Sequence, residues 1–209
     1  MGFKKVMAMV LVTALTFGSA MSVYAAAESP TAATVAPGTD NSSDDHTGNI
    51  VVAKVTKKAV TVTKVTGEGK GAAVVSLVSA KDANGKNQAI TVIGTGKKGV
   101  FDSKKGRKVT SVIIKSKKKV LVKKIAFKGS KVKNLNLTKA KKAVTISKNA
   151  FKGTKAKKLT LKIKSAKKLV LKKGAFNGLT QITIKGASKS VKKAVQKKLK
   201  KAGFKGTIK

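Results

Sequence analysis

The feature that most constrains the fold is a repeat of about 24 residues, centred on Ala-Phe-x-Gly, in the second half of the chain. Three copies align directly, at 124–129, 148–153 and 173–178, and degenerate copies surround Phe101 and Phe204. A fixed period of this length, with one supersecondary unit per period, indicates units that bury their apolar surface only by stacking. Three ordinary hairpins with a chance phenylalanine match are the alternative, but the near-constant period argues against them.

Each repeat predicts two short strands, one before and one after the phenylalanine. Leucine and isoleucine alternate with polar residues after each glycine, so one side of the strand faces inward. The ring supplies a large apolar anchor that can stack on its equivalents, and the glycine two residues later permits a tight turn. The predicted core phenylalanines are Phe127, Phe151 and Phe176.

An apolar strand, Ala-Phe-x-Gly and a Leu-x-Leu strand together resemble the BspA-like leucine-rich repeats of bacterial secreted and surface proteins. The resemblance covers residues 100–209, with 73–100 as an entry unit, and rests on 126–129, 150–153 and 175–178. It implies a mostly β fold, a short leucine-rich-repeat-type solenoid, and a role in adhesion.

This chain departs from that family pattern in two ways. The usual Cys or Asn after the glycine is replaced by Ser130, Thr154 and Leu179, and lysine replaces nearly all acidic and aromatic surface residues. The expectation of the fold survives both changes, whereas inference to a particular partner does not.

The residues before the repeats also predict strands. β-branched runs lie at 50–53 and 60–65. Apolar runs at 73–78 and 89–93 flank Asn84-Gly85, a favoured pair for a hairpin turn because both residues accept positive φ. The sequence therefore predicts a β-hairpin over 73–93.

The C-terminal residues predict a helix over 190–202. Its apolar residues are spaced as on one face, Ser190 is the predicted N-cap, and Gly203 is the predicted stop. A helix that caps the last repeat is the favoured interpretation, because stacked repeats need a polar outer cap. A cationic membrane-surface helix is the alternative.

The N-terminus predicts export. Lys4 and Lys5 precede an uncharged apolar run at 6–17 and then small residues, the order of a cleavable signal peptide. No later segment predicts a transmembrane helix, and we expect a secreted protein retained at the bacterial cell surface. The predicted organisation is a signal peptide (1–27), a flexible linker (28–49), a β-strand and hairpin entry region (50–100), a leucine-rich-repeat solenoid (101–189) and a C-terminal helical cap (190–209).

The residues that catalysis needs are nearly missing. His46 is the only histidine, cysteine is absent, and no acidic residue follows Asp102. The Asp44-Asp45-His46 cluster is predicted to be a solvated charge cluster, and the glycines of 67–71 lack the Gly-Lys-Ser/Thr ending of a phosphate loop. We therefore predict no enzymatic activity, no cofactor and no metal site.

The charge predicts the partner class. The formal net charge is +41, and residues 103–209 contain 37 Lys plus Arg with no acid, with Arg107 as the only arginine. Lysine is a hydrated point charge suited to diffuse attraction, not to reading bases. We expect adhesion to an anionic polysaccharide or cell-wall polymer, or to a host glycan or protein, with non-specific nucleic-acid binding in vitro.

Three other interpretations stay open: a cationic membrane-active protein, an extracellular nucleic-acid-binding protein, and lysine that serves solubility alone. If the strand face binds the polyanion, strand alternation selects four outward lysines. They are Lys133, Lys158, Lys162 and Lys185.

Overall fold

The computed structural model describes residues 32–35, 49–56, 58–67, 73–82, 84–104 and 106–209. This part of the chain is mostly strand with a single α-helix near the C-terminus, so the prediction of a mostly β fold is confirmed. The predicted signal peptide, the Asp44-Asp45-His46 cluster and most of 67–71 lie outside the described residues. The linker prediction contained no strand, but Ala32–Val35 forms one.

Fifteen strands and one helix are described. In chain order they are β1 (Ala32–Val35), β2 (Asn49–Val55), β3 (Val60–Gly67), β4 (Val74–Leu77), β5 (Ser79–Lys81), β6 (Asn87–Ala89), β7 (Val92–Ile93), β8 (Ser111–Ile114), β9 (Val120–Val122), β10 (Asn134–Asn136), β11 (Val144–Ile146), β12 (Lys158–Lys162), β13 (Leu169–Leu171), β14 (Gln181–Lys185), α1 (Lys189–Lys201) and β15 (Thr207–Ile208). Short 3-10 helices at Gly106–Lys108 and Ala166–Lys168 precede β8 and β13.

Most strands belong to two sheets. The first sheet has the order β1-β2-β3-β7-β9-β11-β13, and the second has the order β15-β14-β12-β10-β8-β4. From β7 to β14 successive strands enter the two sheets alternately, and every pairing among them is parallel. At the N-terminal edge of the first sheet, β1, β2 and β3 pair antiparallel. One repeat therefore contributes one strand to each sheet.

The core consists of the inward rows of the sheets and the turns between them. In the second sheet Val112, Leu135, Leu161 and Ile184 form one buried row across four neighbouring strands. These positions alternate with polar ones, which explains why a three-residue strand such as Asn134–Asn136 places a single leucine inside.

A continuous stack of five phenylalanine rings runs through the turns. Ring centroids are 5.4 Å apart for Phe101 and Phe127, 4.2 Å for Phe127 and Phe151, 5.2 Å for Phe151 and Phe176, and 6.5 Å for Phe176 and Phe204. The rings of the first two pairs are nearly parallel and stacked, and the last pair is edge-to-face. All the rings except half-buried Phe204 are enclosed, so each repeat adds one ring to the core.

The position after each turn glycine also faces the interior. Ser130, Thr154 and Leu179 are buried, and the two hydroxyl oxygens lie 3.3 Å apart in a hydrogen bond between neighbouring turns. The residues that depart from the family pattern at this position thus remain either apolar or internally hydrogen-bonded, as buried groups must be.

The prediction that the runs 73–78 and 89–93 pair as one β-hairpin is wrong. The turn at Asn84-Gly85 exists, with Gly85 at φ 75, but the strands that flank it are the short β5 and β6. The longer runs on either side separate: β4 pairs in parallel with β8, and β7 pairs in parallel with β3 and β9. Parallel partners that lie far along the chain give no local sequence signal, which is why the larger hairpin was expected.

The predicted N-cap Ser190 is also wrong. Ser188 is the N-cap, and its hydroxyl accepts a hydrogen bond from the Val191 backbone N–H, so the helix begins at Lys189. The helix ends before Gly203, which adopts φ 78. The chain then returns to the second sheet as β15, so α1 lies in sequence where the earlier repeats place a strand of the first sheet.

Candidate functional site

From β7 onward, lysine lies mostly in the turns between strands and in α1, whose last residue is Lys201. Strands β7 to β11 and β13 contain no lysine, and β12 and β14 have lysine only at their ends. The acid-free region from residue 103 onward nevertheless holds 37 basic residues. The charge of the repeats is therefore concentrated along the two edges where the chain passes from one sheet to the other.

The central outward row of each sheet is uncharged, although Lys158, Lys162 and Lys185 are exposed at the ends of β12 and β14. One row across the first sheet consists of Thr61, Val92, Leu121, Thr145 and Val170, of which Leu121 and Val170 are 36% and 38% exposed. The outward row of the first sheet, which carries apolar and hydroxyl side chains, therefore lies between the two lysine-rich edges.

The second sheet has a polar but uncharged outward row. Ser111, Asn134, Thr160 and Thr183 are neighbours across β8, β10, β12 and β14, and all four are partly exposed. Hydroxyl and amide groups thus separate the two cationic edges on this face.

Backbone hydrogen bonds join the phenylalanine-containing turns in register. The Ile125 N–H donates to the Asn149 carbonyl at 2.9 Å, the Asn149 N–H donates to the Gly174 carbonyl at 3.0 Å, and the Gly174 N–H donates to the Ala202 carbonyl at 2.7 Å. All four residues lie two positions before their phenylalanines, so equivalent turn positions lie directly above one another. Ile125, Asn149 and Gly174 share a positive φ of 52, 60 and 70.

The residue that precedes each of these four positions is an exposed lysine. We define the lysine column as Lys124, Lys148, Lys173 and Lys201, each three residues before a stacked phenylalanine. Neighbouring parallel strands are about 4.8 Å apart, so the column carries roughly one positive charge per 4.8 Å along the stack. Lys173 and Lys201 both line one surface groove, which is independent evidence that the last two members are neighbours.

Other lysines flank the column in the same turns. Lys128, Lys152 and Lys205 follow their phenylalanines directly and are exposed. The Lys128 side chain lies over Gly153 of the next turn, because a Cβ built on that glycine would be 3.1 Å from Lys128 Cγ. Side chains of one turn therefore extend over the next turn.

Counter-charge is nearly missing from this surface. Among the described residues the one ion pair joins Arg107 Nη2 to Asp102 Oδ1 at 2.8 Å, and it lies in the first phenylalanine turn. No acidic residue follows Asp102 in the sequence. The lysine column therefore has no carboxylate side chain within its own turns to neutralise it.

A second column lies at the opposite edge, where the chain returns from the second sheet to the first. It consists of exposed Lys118, Lys142 and Lys167, each two residues before the in-register positions Val120, Val144 and Leu169. This second column is shorter. Beyond Lys167, α1 packs against β13, the last strand of the first sheet.

The closure at that edge uses a lysine as a hydrogen-bond donor. Lys198 of α1 donates from Nζ to the Ala166 and Leu169 carbonyls, both at 2.8 Å, which occupies the open edge of β13. A groove of about 310 Å³ remains between α1 and β13.

The four lysines predicted from strand alternation are all exposed, but they do not form one row. Lys162 and Lys185 are register neighbours, and the row continues to uncharged Asn136. Lys158 pairs with Gln181, and Lys133 precedes β10. The structure thus brings two of the four together and leaves the other two separate.

The lysine column was missed although the sequence contains its signal. Aligning the repeats on their phenylalanines places a lysine three residues earlier in all three clear copies and before Phe204. Strand alternation, used alone, directs attention to the sheet face and away from the turns.

Within the described residues no group of three or more His, Cys, Asp or Glu side chains could hold a metal ion. No helix in this part of the chain is long and apolar enough to cross a membrane.

No protein-family model matches the chain, and neither the curated proteins nor the solved structures compared with it include a match.

Proposed function

We propose that this chain is an exported, non-enzymatic leucine-rich-repeat solenoid of the BspA-like type, which holds anionic polymers at the bacterial cell surface through the lysines of its turns. A cell-wall polymer of the producing bacterium is the first partner, and a host glycan is the second. The alternation of successive strands between two sheets, with one strand of each sheet per repeat, supports the proposal of a solenoid.

The observation that carries the proposal is the segregation of lysine into turns that lack acidic side chains. Adding charge for solubility needs a net charge of magnitude about 2–8 in a small domain and favours interspersed signs. This chain has a net charge of +41 and leaves the central outward row of each sheet uncharged. Lysine collected at the edges, without counter-charge, creates strips of positive potential that attract a polyanion.

The chemistry of the strips favours a polymer over a small ligand. Each lysine contributes one hydrated point charge, and binding gains from releasing many counterions along a polyanion. The groove beside α1 is lined by Lys173 and Lys201 of the column, whereas Lys124 and Lys148 are exposed and lie outside its lining.

The test is co-sedimentation of the purified protein with cell walls of the producing bacterium, prepared with and without their anionic polymers, over a series of salt concentrations. We expect binding that requires the polymers and weakens steeply as salt rises, because counterion release makes such binding salt-dependent. Binding that is indifferent to both salt and polymer content contradicts the proposal. Leakage of anionic vesicles at the same protein concentration would support the membrane-active alternative instead.

A further inference from the structure

We infer that the lysine column is the binding track of a flexible, linear phosphate polymer, which lies along the stacking axis and not around a repeat. The inference rests on the proposed function and specifies its site and its ligand class. The members of the lysine column are exposed, and each precedes a residue whose backbone is hydrogen-bonded to a neighbouring turn. They are Lys124, Lys148, Lys173 and Lys201.

The direction of the track follows from the geometry of the stack. Consecutive members of the column are separated by one strand spacing, so four lysines span about 15 Å at roughly 4.8 Å per turn. Around any single turn, by contrast, the chain leads onto the uncharged outward rows at Leu121, Thr145 and Val170 on one side and at Asn134 and Thr160 on the other. From β7 to β14 only β12 and β14 add lysines on this path, whereas along the axis the column supplies a lysine at every turn. A polyanion that runs along the axis therefore meets the more regular series of charges.

The turns hold the column in a fixed arrangement. Their backbones are joined by hydrogen bonds of 2.7–3.0 Å, and the phenylalanine rings stack directly beneath them. Because the polypeptide backbone that carries each lysine is already fixed, less conformational entropy is lost when a ligand binds. The second column at the opposite edge has three members, and α1 closes the end of its edge with Lys198. The lysine column is thus the longer and more uniform of the two.

The side chains present select the ligand class. The five phenylalanines that follow residue 100 lie in the internal stack, so the column offers no exposed aromatic platform on which bases could stack. The column also contains no arginine for bidentate contacts. A thin, flexible backbone with an anion in every unit can bring successive charges close to successive lysines. A sulfated glycan carries its anions on rigid sugar rings, which limits how far each anion can adjust its position to a lysine.

Two charge-matched triple variants test the inference. K124Q/K148Q/K173Q neutralises three members of the lysine column, and K118Q/K142Q/K167Q neutralises the second column. Both variants lose three positive charges from exposed positions. Circular dichroism and thermal melts serve to check that both variants remain folded.

The probe is inorganic polyphosphate, with triphosphate as the short-chain comparison and with heparin and poly-dT as alternative polyanions, titrated by calorimetry over a salt series. We expect the lysine-column variant to lose at least tenfold in affinity for long polyphosphate, and the second-column variant to lose less than threefold. The slope of log K against log salt should fall by about 2 in the first variant, at roughly 0.7 per lost phosphate contact. Triphosphate, which cannot span the column, should bind far more weakly than the long chain.

Each outcome separates the inference from the proposed function. Equal losses in both variants overturn the lysine column as a track while leaving diffuse polyanion binding intact. Column-dependent binding of heparin that exceeds that of polyphosphate overturns the phosphate class, and column-dependent binding of poly-dT that exceeds that of polyphosphate overturns the argument against nucleic acid. If the unaltered protein binds neither polyphosphate nor cell walls, the proposed function itself fails.

Discussion

Removing one ring from the middle of the phenylalanine stack should cost far more stability than removing the ring at its end. Phe127 is fully buried, with its centroid 5.4 Å from that of Phe101 and 4.2 Å from that of Phe151. Phe204 is half-buried and meets only Phe176, edge-to-face, at 6.5 Å. The substitutions Phe127→Ala and Phe204→Ala therefore delete the same side chain from two different environments.

The magnitudes follow from burial and from ring pairing. Truncating a buried phenylalanine to alanine costs about 3–5 kcal/mol. Each aromatic pair adds about 0.5–1.5 kcal/mol beyond burial, and Phe127→Ala removes two such pairs. We expect a loss near 5 kcal/mol for Phe127→Ala. For Phe204→Ala, with half the burial and one distant pair, we expect about 1–2 kcal/mol.

The assay is urea unfolding followed by far-ultraviolet circular dichroism at constant high salt, which screens repulsion between lysines. Tryptophan fluorescence offers no signal because the chain has no Trp. The m-values should agree between variants, since both remove the same group from one cooperative unit. Phe127→Leu is added as a milder change: it keeps part of the apolar volume but loses the ring stacking, and about 1–2 kcal/mol is expected.

Equal losses for Phe127→Ala and Phe204→Ala would refute the reasoning, because the stack would then not distinguish its middle from its end. If Phe127→Ala is too unstable to measure, Phe127→Leu is compared with Phe204→Leu, which makes the same exchange at the half-buried end of the stack and should lower the free energy of unfolding by less. A Phe127→Leu variant as stable as the unaltered protein also refutes it.

Two further predictions concern a turn glycine and a hairpin carboxylate. Gly129 (φ 72) and Gly85 (φ 75) share a left-handed backbone, but a Cβ on Gly129 would overlap the Asp102 side chain, whereas nothing lies within 4 Å of one on Gly85. For Gly85→Ala we expect the free energy of unfolding in urea to fall by roughly 1–2 kcal/mol, from its φ alone. Gly129→Ala should lower it clearly more, and equal losses would contradict this. The Gln88 side-chain amide donates a hydrogen bond to Asp82 and lowers the pKa of that carboxyl. The hydrogen bond therefore stabilises the fold above the unfolded-state pKa of about 3.9, and this stabilisation is lost as the pH falls through the folded-state pKa. NMR titration should place the Asp82 pKa below its ordinary value and move it upward in Gln88→Ala; an unmoved pKa would show that another donor causes the shift.

The repeats could be predicted from the sequence because each unit carries its own local signals. The Ala-Phe-x-Gly turn has a ring that must be buried and a glycine whose φ is positive in all three clear copies: Gly129, Gly153 and Gly178. The alternation of Leu159, Leu161 and Ile163 likewise identifies an inward side without reference to distant residues.

What could not be predicted depends on pairing between distant strands. Val74–Leu77 pairs with Ser111–Ile114, more than thirty residues away, and the hydrophobic pattern of either strand is compatible with many partners. The positive φ of Ile125 also has no local signal, since a β-branched residue disfavours that region. Its backbone conformation is set by the turns stacked against it, where Asn149 and Gly174 occupy the same position.

The repeat that stacks the rings also stacks the charges, and the two effects oppose each other within every turn. Two unit charges about 4 Å apart in water repel by roughly 1 kcal/mol. A stacked ring pair contributes a stabilisation of about the same size, 0.5–1.5 kcal/mol, beyond the burial of its area. Lysines with flexible four-carbon stems relieve part of the repulsion by spreading apart, but the backbone spacing keeps them in one column. A polyanion bound along the stacked turns would screen this repulsion, and it would raise the free energy of unfolding if it binds the stacked turns more tightly than the unfolded chain. The regular spacing that assembles the core thus links the stability of the repeats to occupation of the lysine column.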